Sequence, residues 1–143
     1  MNKHIRGMTA CLLFGLLGLV NPSIAVQSDS DPYLSARVFL EFNSALKKFG
    51  TQPFNMKFFP TAPLKIKAAM AVDLMKSRTW VGKPAVDVQK SLGKNTGHFW
   101  SATVPAYIIQ EGWNEKKDTW QLVFLIDKRG IVSDIRIHRN CCL

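Results

Sequence analysis

The chain has 143 residues, 47% of them hydrophobic and 20% charged, with a formal net charge of +9. That apolar share excludes an intrinsically disordered chain, and the length suits one domain around one core. The basic balance disfavours cationic partners and biases encounter towards anions, while saying little about fold.

Residues 1–25 read as a cleavable signal peptide. Lys3 and Arg6 precede an apolar run from Met8 to Val20, Asn21-Pro22 breaks the run, and Ser23-Ile24-Ala25 supplies small residues before a cut. The run is shorter than the roughly 20 apolar residues a spanning helix needs. Thr9-Ala10-Cys11 has the small residues of a lipoprotein site, but here the apolar run follows the cysteine, so Cys11 belongs to the discarded segment. Residues 26–143 are then expected to form a single basic domain in the periplasm or beyond the cell. That domain keeps only Cys141 and Cys142, which are adjacent and cannot staple distant segments, so its core must hold it.

After a polar leader (residues 26–31), Asp31-Pro32 predicts a helix that runs to Phe49 and stops at Gly50. Leu34, Val38, Phe42, Ala45, Leu46 and Phe49 form its apolar stripe, Phe39 widens it, and Lys47 and Lys48 suit its C-terminal dipole. Residues 51–60 are a Pro-bounded, Phe-rich connector. A second helix is expected from Pro63 to Ser77, striped by Leu64, Ala68, Ala71 and Met75. A third, short helix carries Val86, Val88 and Leu92 and stops at Gly93.

From there the pattern changes to strands. Residues 98–103 and 104–111 read as strand or edge-strand material, with Pro105 arguing against a central place. Residues 112–118 read as a polar hairpin tip containing Trp113. Residues 119–126 (TWQLVFLI) are the strongest strand, apolar enough to be covered on both faces. Asp127-Lys128-Arg129-Gly130 is turn chemistry, and residues 131–138 form the last strand, with Ile131, Ile135 and Ile137 on one side. Helices followed by strands predict an α+β two-layer domain: N-terminal helices on one face of a C-terminal antiparallel meander.

Residues 81–96 (VGKPAVDVQKSLGKNT) and 122–132 (LVFLIDKRGIV) resemble the SmpA/OmlA (BamE-like) bacterial envelope domains, in which a helix of this pattern precedes strands and a closing hairpin. The resemblance implies a non-enzymatic, cofactor-free scaffold that binds a protein partner in the envelope. Related two-helix-plus-meander folds also serve as inhibitors of secreted enzymes, which implies an acidic enzyme cleft as an alternative partner.

The residues themselves offer few catalytic groups. Gly82-Lys83-Pro84 fails as a phosphate loop because Ser77 and Pro84 stand where glycine and a hydroxyl residue are required. No G-x-S-x-G run exists, and no two acids are forced into one cleft. His138, Cys141 and Cys142 could hold a soft metal, act as a thiol pair or form a disulfide, or they could be an inert tail.

A docking surface has more support. Between Asn43 and Val72 there are Lys47, Lys48, Lys57, Lys65 and Lys67 and no acid, with Phe54, Phe58 and Phe59 interleaved. Lys57, Phe58, Phe59, Lys65 and Lys67 could dock on an acidic protein or an anionic membrane; otherwise the rings are core and the lysines solvated. Export removes nucleic acid from the expected partners. Trp113, flanked by Lys116 and Lys117, is either an interface anchor or folds back over its hairpin. Trp80, Trp100 and Trp120 are expected in the core or on a sheet face.

Overall fold

A computed structural model describes residues 39–112 and 119–140. The elements are β1 (Phe39–Leu40), α1 (Phe42–Phe49), a single 3-10 turn (Phe59–Thr61), α2 (Leu64–Ser77), α3 (Ala85–Leu92), β2 (Ala106–Gln110), β3 (Thr119–Ile126) and β4 (Val132–Asn140). The strands form one antiparallel sheet in the order β1-β4-β3-β2. The fold is therefore α+β, with a β2-β3-β4 meander.

β3 is a central strand, and both of its faces are buried. Trp120, Leu122 and Phe124 face the helices with Ile135 and Ile137 of β4 and Ala45, Met70, Leu74 and Val88 of the helices. Val123 faces the other way, into a smaller cluster with Phe99, Val104 and Ala106. An apolar run without alternation is the expected mark of such a doubly covered strand. Pro105 immediately precedes β2, which is an edge strand, because proline cannot donate to a second neighbour.

Several boundaries differ from the sequence reading. Phe39 and Leu40, expected inside a long first helix, instead pair with His138 and Ile137 of β4. The helix starts only after Glu41, and its described length is Phe42–Phe49. Residues 31–38 lie outside the described residues, as do the expected signal peptide and leader. Residues 98–103, expected as a strand, form a loop over the second sheet face. The last strand begins at Val132, and the core residue is Val132 rather than Ile131, which is only half-buried. The reason is a register shift: Leu125 pairs with Asp134 but Ile126 with Val132, so Ser133 is an extra residue that swaps the faces.

α2 follows its predicted bounds and ends on Arg78, whose backbone is left-handed (φ 52°) and whose N–H reaches Leu74 O at 3.0 Å. Of the predicted stripe, Ala68 and Ala71 are buried but Leu64 and Met75 only half-buried, and Met70, Val72 and Leu74 are fully buried besides. In α3 the buried face is Ala85, Val88 and Leu92, whereas Val86 is 51% exposed. The Asp127 turn forms as expected. Its carboxylate accepts N–H bonds from Arg129 (2.8 Å) and Ile131 (3.0 Å), and Gly130 (φ 76°) takes the left-handed position. The bond from Ile131 is the main cause that holds the Asp127 carboxyl below its ordinary pKa. Among the described residues, no helix is long and apolar enough to cross a membrane.

Candidate functional site

The fold brings three separate stretches of the chain around one groove of about 420 Å³. α1 contributes Lys48 and Phe49, the first turns of α2 contribute Leu64 and Lys65, and the end of edge strand β2 contributes Ile109 and Glu111. Each residue is placed for a local reason. Gly50, at φ 70°, ends α1 with its N–H on Leu46 O (2.9 Å), which leaves Lys48 in the last turn. The Lys48 ammonium stands 5.3 Å from the Phe49 ring centroid and 5.2 Å from that of Trp120, and the two rings meet edge-on at 6.0 Å. Lys48 is therefore held over an aromatic base rather than left free to sweep solvent.

Lys65 is in a first turn that holds no acid. A cation there opposes the helix dipole by a few tenths of a kcal/mol up to about 1 kcal/mol. Departures of this kind from local preference concentrate where function requires them. The groove thus has an apolar floor of the half-buried Phe49 and Leu64, with the fully buried Ile109 behind them, two ammonium groups on the rim and one carboxylate, Glu111. It can take an apolar side chain flanked by acids.

The sequence-predicted residues separate. Lys65 lines the groove. Lys67 is half-buried, its ammonium 5.9 Å from the Phe59 ring centroid. Phe59 is a correction: at 1% exposure it packs edge-on against Tyr107 (5.9 Å) in the main core, so no partner can reach it. It is drawn in because the 3-10 turn directs it under α2, whereas the preceding Phe58 stays 43% exposed. Lys57 and Phe58 lie on an exposed turn whose N–H groups both bond to Asn55 Oδ1, at 3.1 and 3.0 Å. Phe54 is half-buried, its N–H bonded to Asp73 Oδ2 at 3.0 Å. Trp113, Lys116 and Lys117 lie outside the described residues. The base of their hairpin is described, with Gly112 N–H on Thr119 Oγ1 at 3.0 Å, and Glu111 beside it is a groove wall.

His138 lies in the last strand, as expected, on the sheet face opposite Ile137. Its ring lies among Phe39 (5.3 Å) and Phe99 (4.9 Å), and Gln121 Nε2 is 3.1 Å from its Nδ1. Burial pushes its pKa down to about 4. It is therefore neutral at pH 7, and in that form Nδ1 accepts from Gln121. Gln121 is fully buried and also spends its amide on the loop: Oε1 accepts from His98 N–H (3.1 Å), and Nε2 donates to His98 O (2.8 Å). Cys141 and Cys142 lie outside the described residues. Among the described residues, no three His, Cys, Asp or Glu side chains cluster as metal ligands would.

The sequence reading missed Phe49, Leu64, Ile109 and Glu111 as site residues because their meeting is tertiary, whereas it placed Lys48 in the basic docking stretch as well as at the helix dipole. It also misplaced Trp100, expected in the core or on a sheet face; Trp80 and Trp120 are buried, but Trp100 is 58% exposed. Trp100 is at the centre of a three-residue turn with φ 59°, closed by Ser101 N–H on Phe99 O at 2.7 Å. A left-handed backbone at so bulky a residue costs of order 1–3 kcal/mol and is held by its surroundings.

Compared with known proteins, the chain matches no family model, no curated protein and no solved structure.

Proposed function

We propose that the protein is an exported, non-enzymatic binding module of the bacterial envelope that docks an acidic protein partner. The observation that carries this reading is the groove, in which Lys48 and Lys65 flank an apolar floor at the base of the β2–β3 hairpin. Charge on the rim steers an acidic partner, and the floor supplies a desolvated seat for one apolar side chain. The net charge of +7 that residues 26–143 keep without Lys3 and Arg6 (17 basic against 10 acidic residues), the signal-like residues 1–25 and the resemblance of residues 81–132 to SmpA/OmlA domains support the setting. Trp113, Lys116 and Lys117 follow the groove residue Glu111 closely in the chain and are proposed as further contacts.

The test is affinity capture from envelope extracts with the wild type and with the Lys48→Glu/Lys65→Glu double variant, followed by titration of the purified partner. The expected result is a partner whose affinity falls at least tenfold in the variant (about 1.4 kcal/mol) and weakens with salt. A partner bound equally well by both proteins would remove the groove from the reading. Loss of the partner's own activity on mixing would narrow the function to inhibition of a secreted enzyme.

A further inference from the structure

We propose that the turn at residues 56–58, in the connector between α1 and α2, is a docking tip that seats Met56 and Phe58 in the surface of an anionic bilayer. Met56 is 45% and Phe58 43% exposed, while the next ring, Phe59, fills the core position. The connector is tied down on both sides of the turn. Gln52 N–H donates to Ala69 O of α2 (3.2 Å) and Phe54 N–H to Asp73 Oδ2 (3.0 Å), and Phe59 packs against Phe54 (5.7 Å) and Tyr107 (5.9 Å). Two exposed apolar side chains are by themselves ordinary. The backbone and the charges around them define the occupant.

From Lys57 to Ala62 the backbone donors are all bonded locally. The N–H groups of Lys57 and Phe58 donate to Asn55 Oδ1 (3.1 and 3.0 Å), that of Phe59 to Asn55 O (2.8 Å), and those of Thr61 and Ala62 to Phe58 O (3.1 and 2.9 Å). Pro60 has no N–H, and the Thr61 hydroxyl also donates to Phe58 O (3.3 Å). Protein interfaces draw on free donors of this kind, whereas hydrocarbon offers no acceptor, so a segment that dips into lipid must satisfy its donors itself. This turn does so, and that favours lipid over protein. Charge then selects an anionic bilayer. No Asp or Glu occurs between Glu41 and Asp73, a stretch that carries Lys47, Lys48, Lys57, Lys65 and Lys67. Lys57 is in the tip itself, and the Lys67 ammonium stands 5.9 Å from the ring centroid of Phe59, the residue after it. Asp73, the carboxylate that touches the connector, is engaged by Phe54 N–H. Apolar side chains flanked by lysines suit the boundary between acyl chains and anionic headgroups, where each lysine adds attraction.

The test is co-sedimentation of the protein, isolated in the form in which the producing cell carries it, with vesicles of phosphatidylcholine alone or with about one-third phosphatidylglycerol. Met56→Ser/Phe58→Ser is the informative variant, because both side chains are exposed and their truncation leaves the core intact. Lys57→Glu tests the charge, and thermal unfolding checks that both variants fold. The expected result is salt-sensitive binding to the anionic vesicles only, at least fivefold weaker in each variant. Absence of binding by the wild type, equal binding to both kinds of vesicle, or undiminished binding by either folded variant would overturn the proposal. So would a Met56→Ser/Phe58→Ser defect seen only with a captured protein partner, which would make the turn a protein hot spot.

Discussion

At the residue scale, Gln121 decides more than its chemistry suggests. It is the one polar side chain fully buried among the described residues, and it joins β3, β4 and the Trp100 loop through His138 and His98. Truncation removes its bonds to His98 and His138 from a buried site. Gln121→Ala is therefore expected to cost about 2–4 kcal/mol, from the cavity plus the lost bonds. Urea unfolding would measure it; a cost under about 0.5 kcal/mol would show that the loop does not depend on this amide. Gly97 is part of the same arrangement, since a Cβ there would run into Gln121 Oε1. The bonds of Gln121 were not legible from residues 119–126, which read only as an apolar strand covered on both faces.

At the element scale, α3 shows how far periodicity reaches. Its position and its stop at Gly93 follow from the sequence, but which side faces the core does not. In eight residues, Val86 and Val88 are both apolar, and only packing distinguishes them. The fold buries Ala85, Val88 and Leu92, which are spaced by three and four, and leaves Val86 outside. Val86→Lys should thus change stability by less than about 0.5 kcal/mol. Val88→Lys places an unpaired ammonium in the core and should unfold the domain. Thermal melts of the two variants check the assignment, and similar melting temperatures would reverse it. β1 teaches the complementary lesson. Phe39 and Leu40 fit a helical stripe, yet they add to the edge of β4, because an unpaired strand edge draws an extended segment more strongly than two residues' helix preference resists.

At the scale of the whole molecule, charge and protonation act together. His138 is held neutral by burial, so the unfolded chain takes up a proton near pH 6.5 that the folded chain refuses until about pH 4. The stability this contributes is complete above pH 6.5 and is lost as pH falls through 4; the full shift corresponds to about 3 kcal/mol, which solvent screening of the half-buried ring reduces to about 2 kcal/mol. Asp134 acts in the same direction at lower pH. Its burial raises its pKa, but bonds from Arg136 (2.6 Å) and Ile135 (2.8 Å) and the Arg136 and Arg78 charges outweigh that and lower it below 3.8, so its contribution disappears as it protonates. The urea midpoint is expected to be flat from pH 8 to 7 and to drop by pH 4.5, with the drop above pH 4.5 absent in His138→Phe. Equal wild-type midpoints at pH 7 and 4.5 would contradict the burial of this ring.

The order of elements, the α+β class, the doubly covered β3, the edge position marked by Pro105 and the Asp127 turn all follow from the sequence, because each depends on residues close together in the chain. The groove, the core place of Phe59, the inward turn of His138 and the outward hold on Trp100 were decided only by the tertiary structure. Each of those depends on which distant surface covers a side chain in the folded chain, and apolar burial alone does not distinguish neighbours such as Phe58 and Phe59, or Phe99 and Trp100.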